Sequence, residues 1–237
     1  MKLIPDFYQE LDSIVQTTSS CEAKCICFMS PEGGTGVSSL TMSMAQRLKK
    51  TSARVLVLDL NQYHPLSEQL SLSFPDDTKW RFDTISSQLS IIEQSGIYFL
   101  SVTELSGHDS ARDALIVADA FARWRQEFDF ILVDLSPLLR VNQHNIPSRV
   151  FAQAAQMTVL VVSAGETTED ALVSANQKLQ EEGFNNINVV MSQLKLPPLG
   201  PQLLRKITKT HWLPVFIKKK LEKWVLAQSW LFKPIGA

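Results

Sequence analysis

Residues 30–39 read Ser-Pro-Glu-Gly-Gly-Thr-Gly-Val-Ser-Ser, the outline of a phosphate-binding loop with valine where lysine normally stands. Gly33, Gly34, Thr35, Gly36, Val37, Ser38 and Ser39 form its nucleotide-facing part. In a working loop the backbone N–H groups cradle the phosphates. The lysine reaches the β- and γ-phosphates, and the hydroxyl after it binds Mg²⁺. Val37 brings no charge, but Ser38 keeps the metal-side hydroxyl and the following helix N-terminus could still hold an anion. Two aspartates end apolar runs further on: Asp59 in Val-Leu-Val-Leu-Asp-Leu-Asn and Asp134 in Phe-Ile-Leu-Val-Asp-Leu-Ser-Pro. A carboxylate at such a place holds Mg²⁺ directly or through water, or, more plainly, caps the next turn. Two of them behind one loop favour the metal, with Ser38, Asp59 and Asp134 as its residues.

The elements that must position these groups alternate. Strand-like runs fall at Ala23–Met29, Arg54–Asp59, Ile97–Val102, Phe128–Asp134, Met157–Ser163 and Ile187–Ser192, several of them unbroken apolar blocks suited to burial on both faces. Helical periodicity covers Ser38–Lys50, Ser110–Glu127 and Thr168–Glu182, the last capped by Thr167 or Thr168. This alternation predicts an α/β fold, a doubly wound, mostly parallel sheet with flanking helices and ligands at the carboxyl ends of the strands. Leu66–Gly96 is polar and serine-rich without clear periodicity, and Pro197-Pro198 with Gly200-Pro201 predict a break before the tail.

The totals agree with one domain: 237 residues, 45% hydrophobic. The net charge of −1 conceals an acidic body and a tail from Arg205 onward that carries +7. No leader-like apolar segment or membrane-length apolar run is present, which predicts a cytoplasmic protein, peripheral at the inner membrane if the tail binds there. Cys21, Cys25 and Cys27 read as reduced thiols, and the four histidines show no metal spacing. Trp124 between Arg123 and Arg125 could be a nucleic-acid patch. Asp113, Asp119 and Glu127 on the same helix favour a solvated face, so no nucleic acid is expected.

At this point the chain resembles the cytoplasmic domain of bacterial tyrosine kinases (BY-kinases) of polysaccharide export, within the MinD/ParA group of P-loop ATPases. Five segments match in order: the loop itself, Arg54–Pro65 as the second Walker-type motif, Phe128–Pro137 as the Walker B strand, Val161–Thr168, and Val189–Ser192. Asp6–Leu11 is similar to the leading helix of that family. The resemblance implies ATP or ADP with Mg²⁺ as cofactor, unless the loop is a relic that holds none. It also implies a homo-oligomer and an inner-membrane partner in polysaccharide synthesis or export.

Departures from the family are pointed. Val37 replaces the phosphate lysine, Glu32 the signature lysine, and Asn61 the second aspartate of Asp-x-Asp. Tyr63-His64 replace an arginine pair, Gln143 an aspartate, and Gln9 and Asp12 two arginines of the ring-building helix. The tyrosine-rich tail is missing, since Tyr8, Tyr63 and Tyr98 are the only tyrosines. Losing one electrostatic donor typically costs about 100- to 1000-fold in rate. The resemblance therefore implies an impaired enzyme serving as an adaptor. A weak ATPase or kinase completed in trans by a basic residue, and a MinD/ParA-like positioning ATPase, are the alternatives.

Phe216–Phe232 predicts an amphipathic helix, with Ile217, Leu221, Trp224, Val225, Leu231 and Phe232 in one arc and Lys218, Lys219, Glu222 and Ser229 opposite. Lys220 and Lys223 border the two faces, and Trp230 lies outside the main arc. Such a face either packs on the protein's own sheet, the favoured expectation, or meets a partner or an anionic membrane surface.

Overall fold

The computed structural model describes residues 3–4, 9–75, 79–84, 91–140, 145–193, 199–210, 214–228 and 231. Seven strands form one sheet: β1 (Cys25–Met29), β2 (Val55–Leu60), β3 (Ile92–Gln94), β4 (Ile97–Ser101), β5 (Phe130–Leu135), β6 (Met157–Ser163) and β7 (Ile187–Ser192). Their order is β3-β4-β2-β5-β1-β6-β7. β1 runs parallel to β5 and β6, and β2 to β4 and β5, as the unbroken apolar runs predict. The crossover from β5 to β6 passes β1 in the opposite sense to the crossover from β1 to β2. The loop after β1 therefore lies at the switch point where such sheets bind ligands.

Alternation along each strand sends side chains to two apolar layers. Cys25, Cys27, Leu56, Leu58, Ile131 and Val133 pack under α4 (Ala114–Glu127) and α5 (Glu169–Glu181). Ile26, Phe28, Val55, Val57 and Leu132 pack under α1 (Gln9–Ser20) and α2 (Val37–Lys49). α2 is rich in Ser and Thr yet buried. Its hydroxyls turn inward onto its own backbone, Thr41 donating to the Val37 carbonyl at 3.0 Å and Ser43 to Ser39 at 2.8 Å.

Several expectations need correction. The helix expected over Ser110–Glu127 is two pieces, a 3₁₀ turn at Ser110–Arg112 and then α4, because Asp113 leaves the helical region to cap α4. Its carboxylate accepts from the N–H groups of Leu115 (2.8 Å) and Ile116 (3.2 Å). Trp124 is not on a solvated face. It is buried, with its ring 5.2 Å from that of Phe121 and 6.3 Å from that of Trp80. The unassigned stretch contains α3 (Leu66–Gln69) and the antiparallel strand β3, joined to β4 by Ser95-Gly96, both at positive φ as a tight hairpin turn requires.

The chain divides into two compact units: Met1–Val162 with Thr167–Val190, and Ser163–Glu166 with Met191–Ala237. The second carries α6 (Leu199–Lys209) and α7 (Val215–Ala227). Gly200-Pro201 opens α6 rather than breaking the chain, since proline in a first turn gives up an N–H that has no helical acceptor. The tail helix ends at Ala227, short of the Phe232 expected; Trp230 and Phe232 lie outside the described residues, as do Gln143 and Asp6–Tyr8.

Removing the α4 cap with Asp113→Ala should cost about 1 kcal/mol. Urea denaturation would read this as a lower midpoint at unchanged slope.

Candidate nucleotide site

Three loops meet at the carboxyl end of the sheet. The loop after β1 turns through Gly33, Gly34 and Gly36, with φ of 91°, 71° and 91°, values that L-residues rarely adopt. At Gly33 a β-carbon would also come within 3.0 Å of Pro137 Cγ, so the loop can rest on the turn after β5 only because Gly33 lacks a side chain. Ser30 braces it: its hydroxyl accepts from the Gly33 N–H at 3.1 Å and its carbonyl accepts from Leu138 at 2.9 Å. The Tyr63 hydroxyl donates to the Arg140 carbonyl and ties the third loop to the second. Gly36 is the N-cap of α2 and supplies no side chain to it, which leaves the first N–H groups of the helix for an anion.

Val37 opens α2 with 7% of its surface exposed and packs into the apolar layer with Ile26, Phe28 and Leu40. The position that holds a phosphate-seeking ammonium in a working loop is here a core residue. Glu32 is exposed.

Strand register sets Asp59 directly beside Asp134. Both side chains follow the alternation of Val57 and Leu132 onto the α2 face, with backbones about 4.8 Å apart as neighbouring strands must be. Asp59 is 1% exposed and Asp134 fully buried. One oxygen of Asp59 accepts from the Ser67 N–H (2.9 Å) at the start of α3 and from the Ser101 hydroxyl (3.2 Å), while its other oxygen and both of Asp134 have no hydrogen-bond partner among the described residues. The capping and metal readings of Asp59 therefore do not compete, because one oxygen caps and the other stays available. Thr35, also buried, has an unpartnered hydroxyl.

Burial drives the Asp134 carboxyl well above the usual aspartate range, and the Asp59 charge pushes it further. Ser38 and Asn61 approach closely enough to pull the other way. Burial likewise raises Asp59, against hydrogen bonds from Ser67, Leu66 and Asn61 that favour its charge. Asn61 cannot act as a base, and its amide oxygen accepts from the backbone N–H groups of Tyr63 (3.2 Å) and His64 (3.4 Å), fixing the turn after β2.

The structure brings Ser38, Asp59 and Asp134 to one end of the sheet. Sequence reasoning missed Ser67 and Ser101, which grip Asp59 from α3 and β4; the one available signal was that Ser101 ends an apolar strand just as Asp59 does. Hard oxygen donors without protein partners suit Mg²⁺, and the residues present would hold it as Ser38, Asp59 and Asp134.

No protein-family model and no curated protein matches the chain. Solved structures do. The kinase domain of Escherichia coli tyrosine kinase ETK is 15% identical and superposes with a TM-score of 0.61 over 81% of each chain. The fold is that of the P-loop kinases and ATPases. The MinC:MinD cell division protein complex of Aquifex aeolicus matches at TM-score 0.56, with 16% identity over 85% of this chain and 78% of that one. A cobyrinic acid a,c-diamide synthase from Mycobacterium smegmatis, with bound ADP and magnesium, matches at 0.55 with 14% identity over 81% and 84%. The second unit holds the helix pair α6 and α7. Lys218, one of the residues expected to face a membrane or partner, is half-buried and donates to the Thr208 carbonyl of α6 at 3.3 Å. Its row on α7, with half-buried Glu222 and buried Val225, is the one that packs. The expected apolar face is split: Val225 and Leu231 are buried, while Ile217, Leu221 and Trp224, the last at 56%, are exposed, as is Phe216 beside them. Lys219, Lys220 and Lys223 are exposed as well. Among the described residues no helix is long and apolar enough to cross a membrane.

A carboxyl raised by folding gives up stability as pH rises: its contribution is whole below the ordinary value of about 3.9 and is lost as pH climbs through the raised one. Asp134→Asn should therefore be more stable than the natural protein at pH 8 by about 1–3 kcal/mol. The gap should close near pH 4, as followed by thermal unfolding across the pH range.

Proposed function

We propose that this chain is a BY-kinase-like P-loop protein that has lost catalysis and acts as an adaptor or regulator in exopolysaccharide synthesis or export at the inner membrane. The observation that carries the first half is Val37, buried among core residues at the position of the phosphate lysine. Asn61 in place of the second carboxylate removes the base, and exposed Glu32 adds a negative charge beside the loop. The pathway rests on the resemblance to kinase domains of polysaccharide export, and its partner would be an inner-membrane protein of that machinery.

Nucleotide with Mg²⁺ fits as a weakly held group. Bound there, Mg²⁺ would neutralise phosphate charge. The protein's own part would be the loop N–H groups around the phosphates, Ser38 and the two aspartates toward the metal, and Ser67 and Ser101 holding Asp59 in place. Purified protein given ATP and Mg²⁺ should release phosphate no faster than its Asp134→Ala variant. Sustained turnover that Asp134→Ala abolishes would contradict the proposal and point to a basic residue supplied in trans by a second copy.

The exposed side of α7 supports attachment to an anionic bilayer, with Trp224 and Phe216 entering the headgroup boundary and Lys219, Lys220 and Lys223 beside them. At about 1 kcal/mol per lysine near an anionic surface, reversing all three charges should weaken binding to phosphatidylglycerol vesicles by 100-fold or more. Sedimentation checks this, and equal binding to phosphatidylcholine vesicles would refute the electrostatic part.

A further inference from the structure

A cavity of about 340 Å³ lies on the α2 face of the sheet, at the opposite end of α2 from the phosphate loop. Its volume falls in the lower part of the range for small-molecule sites, about 300–1,000 Å³. The floor is apolar, from Met42 of α2 and Phe99 of β4, and half-buried Leu70 and Leu72 after α3 form a wall. Gln46 and Lys49, on the last turns of α2, stand on its polar side. Among the described residues that line it there is no carboxylate, and Lys49 and Lys50 bring positive charge.

Lys49 is held in place. Its ammonium donates to the Ser95 carbonyl in the β3–β4 turn, and its ε-carbon lies 2.8 Å from where a β-carbon of residue 96 would be. The stem lies across the turn that the positive φ of Ser95 and Gly96 forms. One of the three ammonium protons is spent on Ser95, which leaves donors for an incoming acceptor. A cation at the end of a helix is explained by the helix dipole alone. An apolar chamber beside it, lined by Met42, Leu70, Leu72 and Phe99, is not.

We propose that this cavity binds a small amphiphilic anion, an apolar chain or ring bearing one carboxylate. The apolar body lies on Met42, Phe99, Leu70 and Leu72, and the head group meets Lys49. The proposal is independent of whether nucleotide binds at the other end of α2.

The test is calorimetric titration of the full chain with decanoate below its micelle concentration, and with decyltrimethylammonium as the cation of matched chain. Decanoate should bind in a one-to-one complex and the ammonium at least tenfold more weakly. Lys49→Met, which keeps the stem and removes the charge, should weaken decanoate about tenfold, the scale of one charge-assisted hydrogen bond, and leave the ammonium unchanged. Leu72→Trp, which fills the chamber, should abolish both. Equal affinity for the two probes, or full decanoate binding by Lys49→Met, would overturn the proposal even if Leu72→Trp fails to fold.

Discussion

Asp59 and Asp134 stand side by side on adjacent parallel strands, buried against the start of α2 with no ion-pair partner among the described residues, and the rest of the site depends on that. Two carboxylates in so little water cannot both ionise without a cation, so the pair either keeps a proton or waits for a metal. A lysine in the loop would normally reach across this space. Here Val37 adds its bulk to the core and leaves the carboxylates to Ser38, Asn61 and the grip of Ser67 and Ser101 on one oxygen of Asp59. The architecture of a phosphate site persists around an electrostatic balance that has changed sign.

That persistence has a physical cause. The three positive-φ glycines, the Ser30 bonds and the contact of Gly33 with Pro137 are backbone and packing features, indifferent to which side chain occupies position 37. A substitution that removes the charge need not disturb the loop, and Val37 repays it with apolar burial. On the proposed reading, one side chain carries the loss of chemistry while the loop geometry stays part of the folding core.

Six of the seven described strands could be read from the sequence, most because burial on both faces writes continuous Val, Leu and Ile runs, and the loop because its glycines obey local rules; β3 was not. What escaped depends on partners distant in the chain. Asp113 ends one helical piece and starts another within a single periodic pattern, which periodicity does not register. Trp124 is flanked by charges yet seated among Trp80, Phe82 and Phe121. The faces of α7 were legible as apolar and basic, but burial crosses that division, with Lys218 and Glu222 half-buried beside Val225 while Ile217, Leu221 and Trp224 are exposed. Ser67 gave no sign of the partner it shares with Ser101, and Ser101 only that it closes an apolar strand beside Asp59.

The central proposal is that the loop frame is kept here with Val37 in place of a charged residue, and that catalysis is lost with it. Calorimetric titration with ATP and with ADP, each with and without Mg²⁺, tests it most directly. The account predicts no binding, or binding only toward millimolar nucleotide that requires Mg²⁺ and strengthens as pH rises and the aspartate pair gives up its proton. Micromolar binding that persists without Mg²⁺ would contradict it, because the loop would then be holding phosphate with a cation this site does not contain.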